Sequence, residues 1–185
     1  MDSGFMVTFA EGLAARGHRC ARFEFPYMAE RRKTGKKKPP DRQPVLIDTW
    51  RAVIDDLGTE NLIIGGKSMG GRMATMIADE TGVRGVVALG YPFYGMGRPD
   101  KPRIEHLLEL KTPTLICQGT RDTMGGYDTI SALTLSDAIT LHWAEDGDHS
   151  LKPRKKSGRT EEQNLTEALD AVDRFLAGLS RQGKP

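Results

Sequence analysis

The chain has 185 residues and a formal net charge of +2 at pH 7. This length is sufficient for one domain with a sizeable core, and so small a charge points to no particular partner. The sequence holds no apolar run of about 20 residues, which a membrane-spanning helix needs, and its first residues do not follow the signal-peptide pattern. These features predict a single cytoplasmic domain, residues 1–185, that makes no membrane contact.

The first stretch predicts a helix followed by a strand. Asp2 and Ser3 are suited to cap a helix of about fourteen residues, and Gly17 is suited to end it. Residues 18–25 are typical of a strand. Cys20 in this stretch and Cys117 in a later apolar run predict buried, reduced thiols rather than a disulfide framework.

A basic segment and a second helix come next. Residues 31–42 combine many cations with two adjacent prolines, so we expect a loop rather than regular structure throughout. The second helix is predicted to end at Gly58, and it carries an apolar stripe at helical spacing made of Leu46, Trp50, Val53, Ile54 and Leu57.

The second half of the chain alternates short apolar runs with helical patterns. Strands are predicted over residues 62–64, 85–90, 114–119 and 139–143. Helices are predicted over residues 72–78, 104–110 and 129–135 and in a C-terminal stretch whose stripe is Leu165, Leu169, Val172, Leu176 and Leu179. This alternation predicts an α/β fold with a mainly parallel sheet and helices on both faces.

The most informative motif is Gly-x-Ser-x-Gly at residues 66–70. A strand-like run precedes it and a helix-compatible run follows, which is the context of a nucleophile elbow. Such a turn strains Ser68 and exposes its Oγ, and Gly66 and Gly70 allow strand and helix to approach closely. The alternative is a glycine-rich turn between strand and helix that holds a phosphate or no ligand. A P-loop is excluded because Asn61 stands where its first glycine is required.

A catalytic serine needs a base, and the base needs an acid that orients it. His149 follows the predicted strand 139–143, and Asp122 follows the predicted strand 114–119. Carboxyl ends of parallel strands share one edge of a sheet, so both side chains are expected on the same edge as Ser68. His149 is the preferred base, although an exposed loop histidine is the alternative. Asp122 is the preferred acid, and the competing carboxylates are Asp128, Asp146 and Asp148.

The sequences Gly-Lys-Ser-Met-Gly-Gly at 66–71, Gly-Thr-Arg-Asp at 119–122 and Gly-Asp-His-Ser-Leu at 147–151 resemble the dienelactone-hydrolase-like branch of the α/β-hydrolases. Residues 22–28 and the basic loop after them resemble the bacterial group related to the testis-expressed and NSL-complex hydrolase-like proteins. The resemblance covers nearly the whole chain. It implies the α/β-hydrolase fold and the triad Ser68, Asp122 and His149, but it implies no particular substrate.

One feature departs from the pattern that the resemblance implies. In the family, a strand and a glycine-rich loop precede the first helix, and that loop supplies half of the oxyanion hole. Here the chain begins at the predicted first helix, so Met69 N–H is the one donor of the usual pair that is identified. We therefore expect a fold that lacks the first strands of the family. We also expect that the natural protein has further residues before Met1, which would then be an internal methionine of a longer reading frame.

Two clusters of cations and several aromatic residues complete the set of candidates. The clusters lie at 31–42 and 152–159, each after a predicted strand. They are interpreted as solvated loops, with an anionic substrate or a nucleic-acid surface as the alternatives. Nucleic acid is disfavoured because the clusters contain no interleaved aromatic residues. Tyr27, Lys67, Tyr91 and Phe93 are candidates for substrate binding, and a structural role is the alternative for the three aromatic residues.

The sequence therefore predicts a serine hydrolase for a small carboxylic ester or thioester, anionic in one alternative. The reaction needs no cofactor and no metal. The alternative, from a different class, is a non-catalytic hydrolase-like protein that acts through interactions.

Overall fold

The computed structural model describes residues 3–182, which divide into two compact units with the boundary between Gly58 and Thr59. The first unit contains the helices α1 (Gly4–Ala14), α2 (Pro26–Thr34) and α3 (Gln43–Leu57). The second unit contains the strands β1 (Ile63–Lys67), β2 (Gly85–Leu89), β3 (Tyr94–Gly95), β4 (Arg98–Pro102), β5 (Thr114–Gly119) and β6 (Ile139–Ala144). Its helices are α4 (Met69–Thr81), α5 (Tyr127–Ile130) and α6 (Glu161–Gln182), and none of the described helices is long and apolar enough to cross a bilayer.

Helices α1 and α3 follow the sequence prediction. Ser3 Oγ accepts a hydrogen bond from Met6 N–H and caps α1, while Asp2 lies outside the described residues. Gly17, with φ of 86°, follows the end of α1, and Gly58, with φ of 75°, directly follows α3. A positive φ is readily adopted by glycine, which explains why both residues mark helix ends.

The predicted strand at residues 18–25 is wrong. No strand of the described chain pairs with this segment, and an extended segment needs a partner to form a sheet ladder. Its apolar residues instead form an aromatic cluster, in which the rings of Phe23 and Trp50 lie 4.6 Å apart. Cys20 is consequently exposed, contrary to the prediction, whereas Cys117 in β5 is buried as predicted.

The basic segment 31–42 is also more regular than predicted. Helix α2 begins at Pro26, where a missing N–H costs nothing, and it continues through Thr34. Gly35, with φ of 67°, ends the helix, so the segment is non-helical only from that residue. Arg32 pairs with Glu24 and Lys38 pairs with Glu30, so two cations of the segment have carboxylate partners nearby in the chain.

The second unit is built on a four-stranded parallel sheet with the order β1-β2-β5-β6. Helix α4 packs on β1 and β2, and α6 packs on β5 and β6. This confirms the predicted parallel sheet with flanking helices. Strand β1 is an edge strand of the described sheet, and β3 and β4 form a separate antiparallel pair. Two predicted helices are shorter than expected: the first is a single 3₁₀ turn, Glu105–Leu107, and the second is α5.

Candidate active site

Ser68 occupies the turn between β1 and α4. Its backbone has φ of 53° and ψ of −120°, a conformation that is strained for a residue with a Cβ. Ser68 N–H donates to the Leu89 carbonyl of β2, and the Ser68 carbonyl accepts from Arg72 N–H in the first turn of α4. The turn is therefore fastened on both sides, and the strained backbone predicted for Ser68 is present.

Two glycines make this turn possible. A Cβ at Gly66 would lie 3.0 Å from the Gly70 carbonyl carbon, and a Cβ at Gly71 would lie 2.6 Å from the Gly66 carbonyl oxygen. The second contact is closer than real Cβ atoms come, so any side chain at Gly71 would push α4 away from β1. The requirement at Gly71 was not predicted, although the paired glycines after Met69 are its signal in the sequence.

The three residues predicted as a triad form one continuous hydrogen-bonded chain. His149 Nε2 lies 2.8 Å from Ser68 Oγ, and His149 Nδ1 lies 2.7 Å from Asp122 Oδ2. All three follow strands of the sheet: Ser68 follows β1, Asp122 follows β5 and His149 follows β6. The parallel order of these strands brings their carboxyl ends to one edge, which is why residues far apart in sequence meet here.

The Asp122 carboxylate is held in a single orientation. Asp122 is only 3% exposed, and its carboxylate oxygens accept hydrogen bonds from Gln118 Nε2 and from Met124 N–H, both at 2.8 Å. The same Gln118 amide also joins Tyr91 and Gly125 through backbone hydrogen bonds. Gln118 was missed by the sequence analysis, although an amide side chain inside an apolar strand is the signal that could have identified it.

The competing carboxylates have other partners. Asp146 pairs with Arg121 and Arg154, and the hydrogen bonds from Arg154 hold the pKa of Asp146 well below its usual range. Asp148 accepts hydrogen bonds from Ser150 N–H and Lys152 N–H, and Asp128 is exposed in α5. Of the four candidate acids, Asp122 is the one that the structure brings to His149.

The loop that carries His149 is anchored from several directions. Leu151 adopts a φ of 64° and is fully buried. Asn164 of α6 donates from Nδ2 to the carbonyls of Leu151 and Glu145, at 2.7 and 2.9 Å. Asn164 is itself fully buried and was not predicted, because a polar residue on a helix gives no sequence signal of its burial.

Two further glycines admit the His149 loop to the edge of the sheet. At Gly90, after β2, φ is 63° and a Cβ would lie 2.4 Å from the His149 carbonyl oxygen. At Gly119, the last residue of β5, a Cβ would lie 2.3 Å from the Asp148 carbonyl oxygen. The loop therefore lies directly against the ends of two strands.

Met69 is the first residue of α4, so no carbonyl within the helix can accept its N–H. This N–H directly follows Ser68 in the chain, as the predicted oxyanion donor requires. The helix N-terminus adds a partial positive charge that favours negative charge at this position.

The aromatic candidates are buried, which contradicts the prediction that they line a pocket. Tyr91 and Phe93 have no exposed surface, and their rings pack together at 4.7 Å. Tyr27 lies in the first unit, where it is 8% exposed and its ring stacks on Phe25. Side chains so deeply packed offer no surface to a ligand, so the structural alternative describes them. Lys67 was predicted to bind substrate. In the structure its Nζ donates to the His149 carbonyl and to Ser150 Oγ, which are partners within the protein.

Next to Tyr91, a partly buried polar cluster contains His106. Thr75 Oγ1 donates to the Arg72 carbonyl at 2.8 Å and lies 2.9 Å from His106 Nε2. Because the threonine proton is already used, His106 Nε2–H donates to Thr75 Oγ1. Burial, with a smaller effect from the Arg72 charge, lowers the pKa of His106 to about 4, and burial raises the pKa of Tyr91 to about 12.

This cluster predicts a loss of stability in mild acid. Between pH 6.5, the ordinary pKa of histidine, and pH 4, the unfolded chain takes up a proton at His106 and the folded chain does not. The contribution of His106 to the free energy of unfolding should therefore fall through this window and level off below it. In His106→Gln, which keeps a donor for Thr75, the fall should be shallower. Urea unfolding at pH 7, 5.5 and 4 measures how the free energy of unfolding changes with pH. The same change with pH in the variant and the unmodified protein would exclude His106 as the cause.

Comparisons with known proteins agree with this architecture. A family model described as an alpha/beta hydrolase domain matches residues 1–177, so the chain belongs to this family. No curated protein matches the chain.

Solved structures show the same fold at low sequence identity. An α/β serine hydrolase homologue from Coxiella burnetii has a TM-score of 0.69 and 17% identity, covering 94% of this chain and 76% of that chain. The esterase domain of a Rhodothermus marinus protein has a TM-score of 0.61 and 17% identity, covering 96% and 79%. A serine hydrolase without a lid from Xanthomonas campestris has a TM-score of 0.59 and 16% identity, covering 100% and 76%. These similarities show the α/β-hydrolase fold, as predicted.

Proposed function

We propose that the protein is a serine hydrolase that cleaves a small carboxylic ester or thioester through Ser68, His149 and Asp122. The observation that carries this proposal is the uninterrupted order of hydrogen bonds from Ser68 Oγ to His149 Nε2 and from His149 Nδ1 to Asp122 Oδ2. Nucleophile, base and orienting acid in this order define the chemistry of acyl transfer to a serine.

In the proposed reaction Ser68 Oγ attacks the carbonyl carbon while His149 Nε2 takes its proton. Asp122 accepts from His149 Nδ1–H, which keeps Nε2 free as the base and stabilises the imidazolium. Met69 N–H donates to the oxygen that becomes negative. His149 then returns the proton to the leaving alcohol or thiol, and water, activated in the same way, releases the acid from Ser68.

Three of the five cations in residues 152–159 have carboxylate partners within the chain. Lys152 pairs with Glu161, Arg154 with Asp146, and Arg159 with Glu167. Lys155 and Lys156 are exposed. The segment is therefore interpreted as a solvated loop, with an anionic substrate as the alternative.

The narrower relations remain our proposal. The relation to the dienelactone-hydrolase-like branch rests on the motifs around Ser68, Asp122 and His149, and the relation to the testis-expressed and NSL-complex group rests on residues 22–28 and the basic loop after them. The described contacts give no support to the alternative of a non-catalytic interaction protein, because a chain of side chains hydrogen-bonded in catalytic order is not needed for binding alone.

Covalent labelling tests the proposed function. A fluorophosphonate reacts with a serine that has a base within reach, so the intact protein should gain one probe, which peptide mass spectrometry should place on Ser68. Heat-denatured protein, in which His149 and Ser68 are separated, is the control and should remain unlabelled. Absence of labelling of the folded protein, or a probe found on another serine, would contradict the proposed nucleophile.

A further inference from the structure

Lys67 stands between the two halves of the proposed reaction centre. It is the last residue of β1 and immediately precedes Ser68. Its Nζ donates to the His149 carbonyl at 3.1 Å and to Ser150 Oγ at 2.9 Å. One side chain thus joins the strand that carries the serine to the loop that carries the histidine, 82 residues further along the chain.

The surroundings of the Lys67 ammonium group also affect its pKa. Partial burial lowers the pKa of Lys67, while the carboxylates of Asp122 and Asp148 act in the opposite direction and favour the charged form. Hydrogen bonds from a charged donor are stronger than those from a neutral donor. A carbonyl and a hydroxyl held by one ammonium therefore form a firm link in a half-buried position.

The other anchors of the His149 loop connect it to elements other than β1, or lie within the loop itself. Asn164 ties the loop to α6, and the Asp148 carboxylate holds the N–H groups of Ser150 and Lys152. These contacts define the fold of the loop, but they do not tie it to β1. If the ammonium of Lys67 is removed, the loop should keep its fold and gain freedom to move relative to Ser68.

We infer that Lys67 is a positioning residue, which sets the separation of His149 Nε2 and Ser68 Oγ by holding the His149 carbonyl against the end of β1. The inference rests on the proposed function, since it gives Lys67 a part in that reaction. Misplacement of reacting groups by about 1 Å costs about a hundredfold in rate. The effect should fall on kcat and leave KM nearly unchanged, because Lys67 touches the base and not the substrate.

The test compares Lys67→Met with Lys152→Met. Both substitutions remove one ammonium group. Lys152 Nζ, however, is paired with Glu161 of α6 and not with the His149 carbonyl. For Lys67→Met we expect a fall of about ten- to a hundredfold in kcat for p-nitrophenyl acetate and in the rate of fluorophosphonate labelling, with KM within twofold. Lys152→Met should match the unmodified protein in all three measurements.

A rescue separates positioning from loss of folding. In a Cys20→Ser background, Lys67→Cys alkylated with 2-bromoethylamine restores an ammonium at the length of lysine, while Cys117 is buried. Recovery of kcat on alkylation would support positioning. Equal kcat in Lys67→Met and the unmodified protein, or no recovery on alkylation, would overturn this inference and leave the proposed function standing. Failure of the unmodified protein to be labelled would overturn the proposed function itself.

Discussion

Replacing Ser68 with alanine is expected to lower kcat for p-nitrophenyl acetate by about 10⁶-fold, close to the complete loss of covalent catalysis. The reason is that Ser68 Oγ is the atom hydrogen-bonded to His149 Nε2, so alanine removes the nucleophile and leaves the base without a partner. Kinetics of ester hydrolysis measure the loss directly. The melting temperature should change little, because alanine keeps a Cβ at the φ of 53° and loses one part-buried hydrogen bond, to His149.

The matched control for Ser68→Ala is Ser131→Ala. Ser131 is exposed and directly follows α5. This variant should retain the full rate. Hydrolysis by Ser68→Ala within tenfold of the unmodified protein would show that another group performs the reaction, and a similar loss in both variants would point to a defect in folding.

The positions of the proposed triad could be predicted because they depend on local patterns and on one rule of topology. Each of Ser68, Asp122 and His149 follows a short apolar run, and the carboxyl ends of parallel strands share one edge. The order of the strands was not required for that inference. It was enough to know that one of these residues follows each strand and that the strands are parallel.

The errors concern features that depend on distant partners. Residues 18–25 have the composition of a strand, but a strand forms only beside another, and the sequence does not say which segment provides it. Tyr91 and Phe93 follow a strand end as a pocket residue would, yet both are fully buried. Similarly, Gln118 and Asn164 hold the acid and the histidine loop through contacts with segments that the sequence alone does not place beside them.

The second large effect is expected for Asp122→Asn, which should lower kcat by about 10⁴-fold. The carboxylate accepts from Gln118 Nε2 and His149 Nδ1 at one oxygen and from Met124 N–H at the other. An asparagine must place its NH₂ group against a donor in either orientation. When it faces His149, the ring is driven to carry its proton on Nε2, where it can no longer accept the proton of Ser68.

Asp128→Asn provides the control, because Asp128 is a competing candidate acid from the sequence and is exposed in α5. The substitution is chemically identical, so any difference between the two variants reflects position alone. Ester turnover should be lost in Asp122→Asn and kept in Asp128→Asn, with circular dichroism confirming that both remain folded. A rate for Asp122→Asn within tenfold of the unmodified protein would remove Asp122 as the orienting acid, and an equal loss in Asp128→Asn would do the same. Retention of fluorophosphonate labelling at a reduced rate would fit the proposal, since the nucleophile remains in place while its base is held in the wrong tautomer.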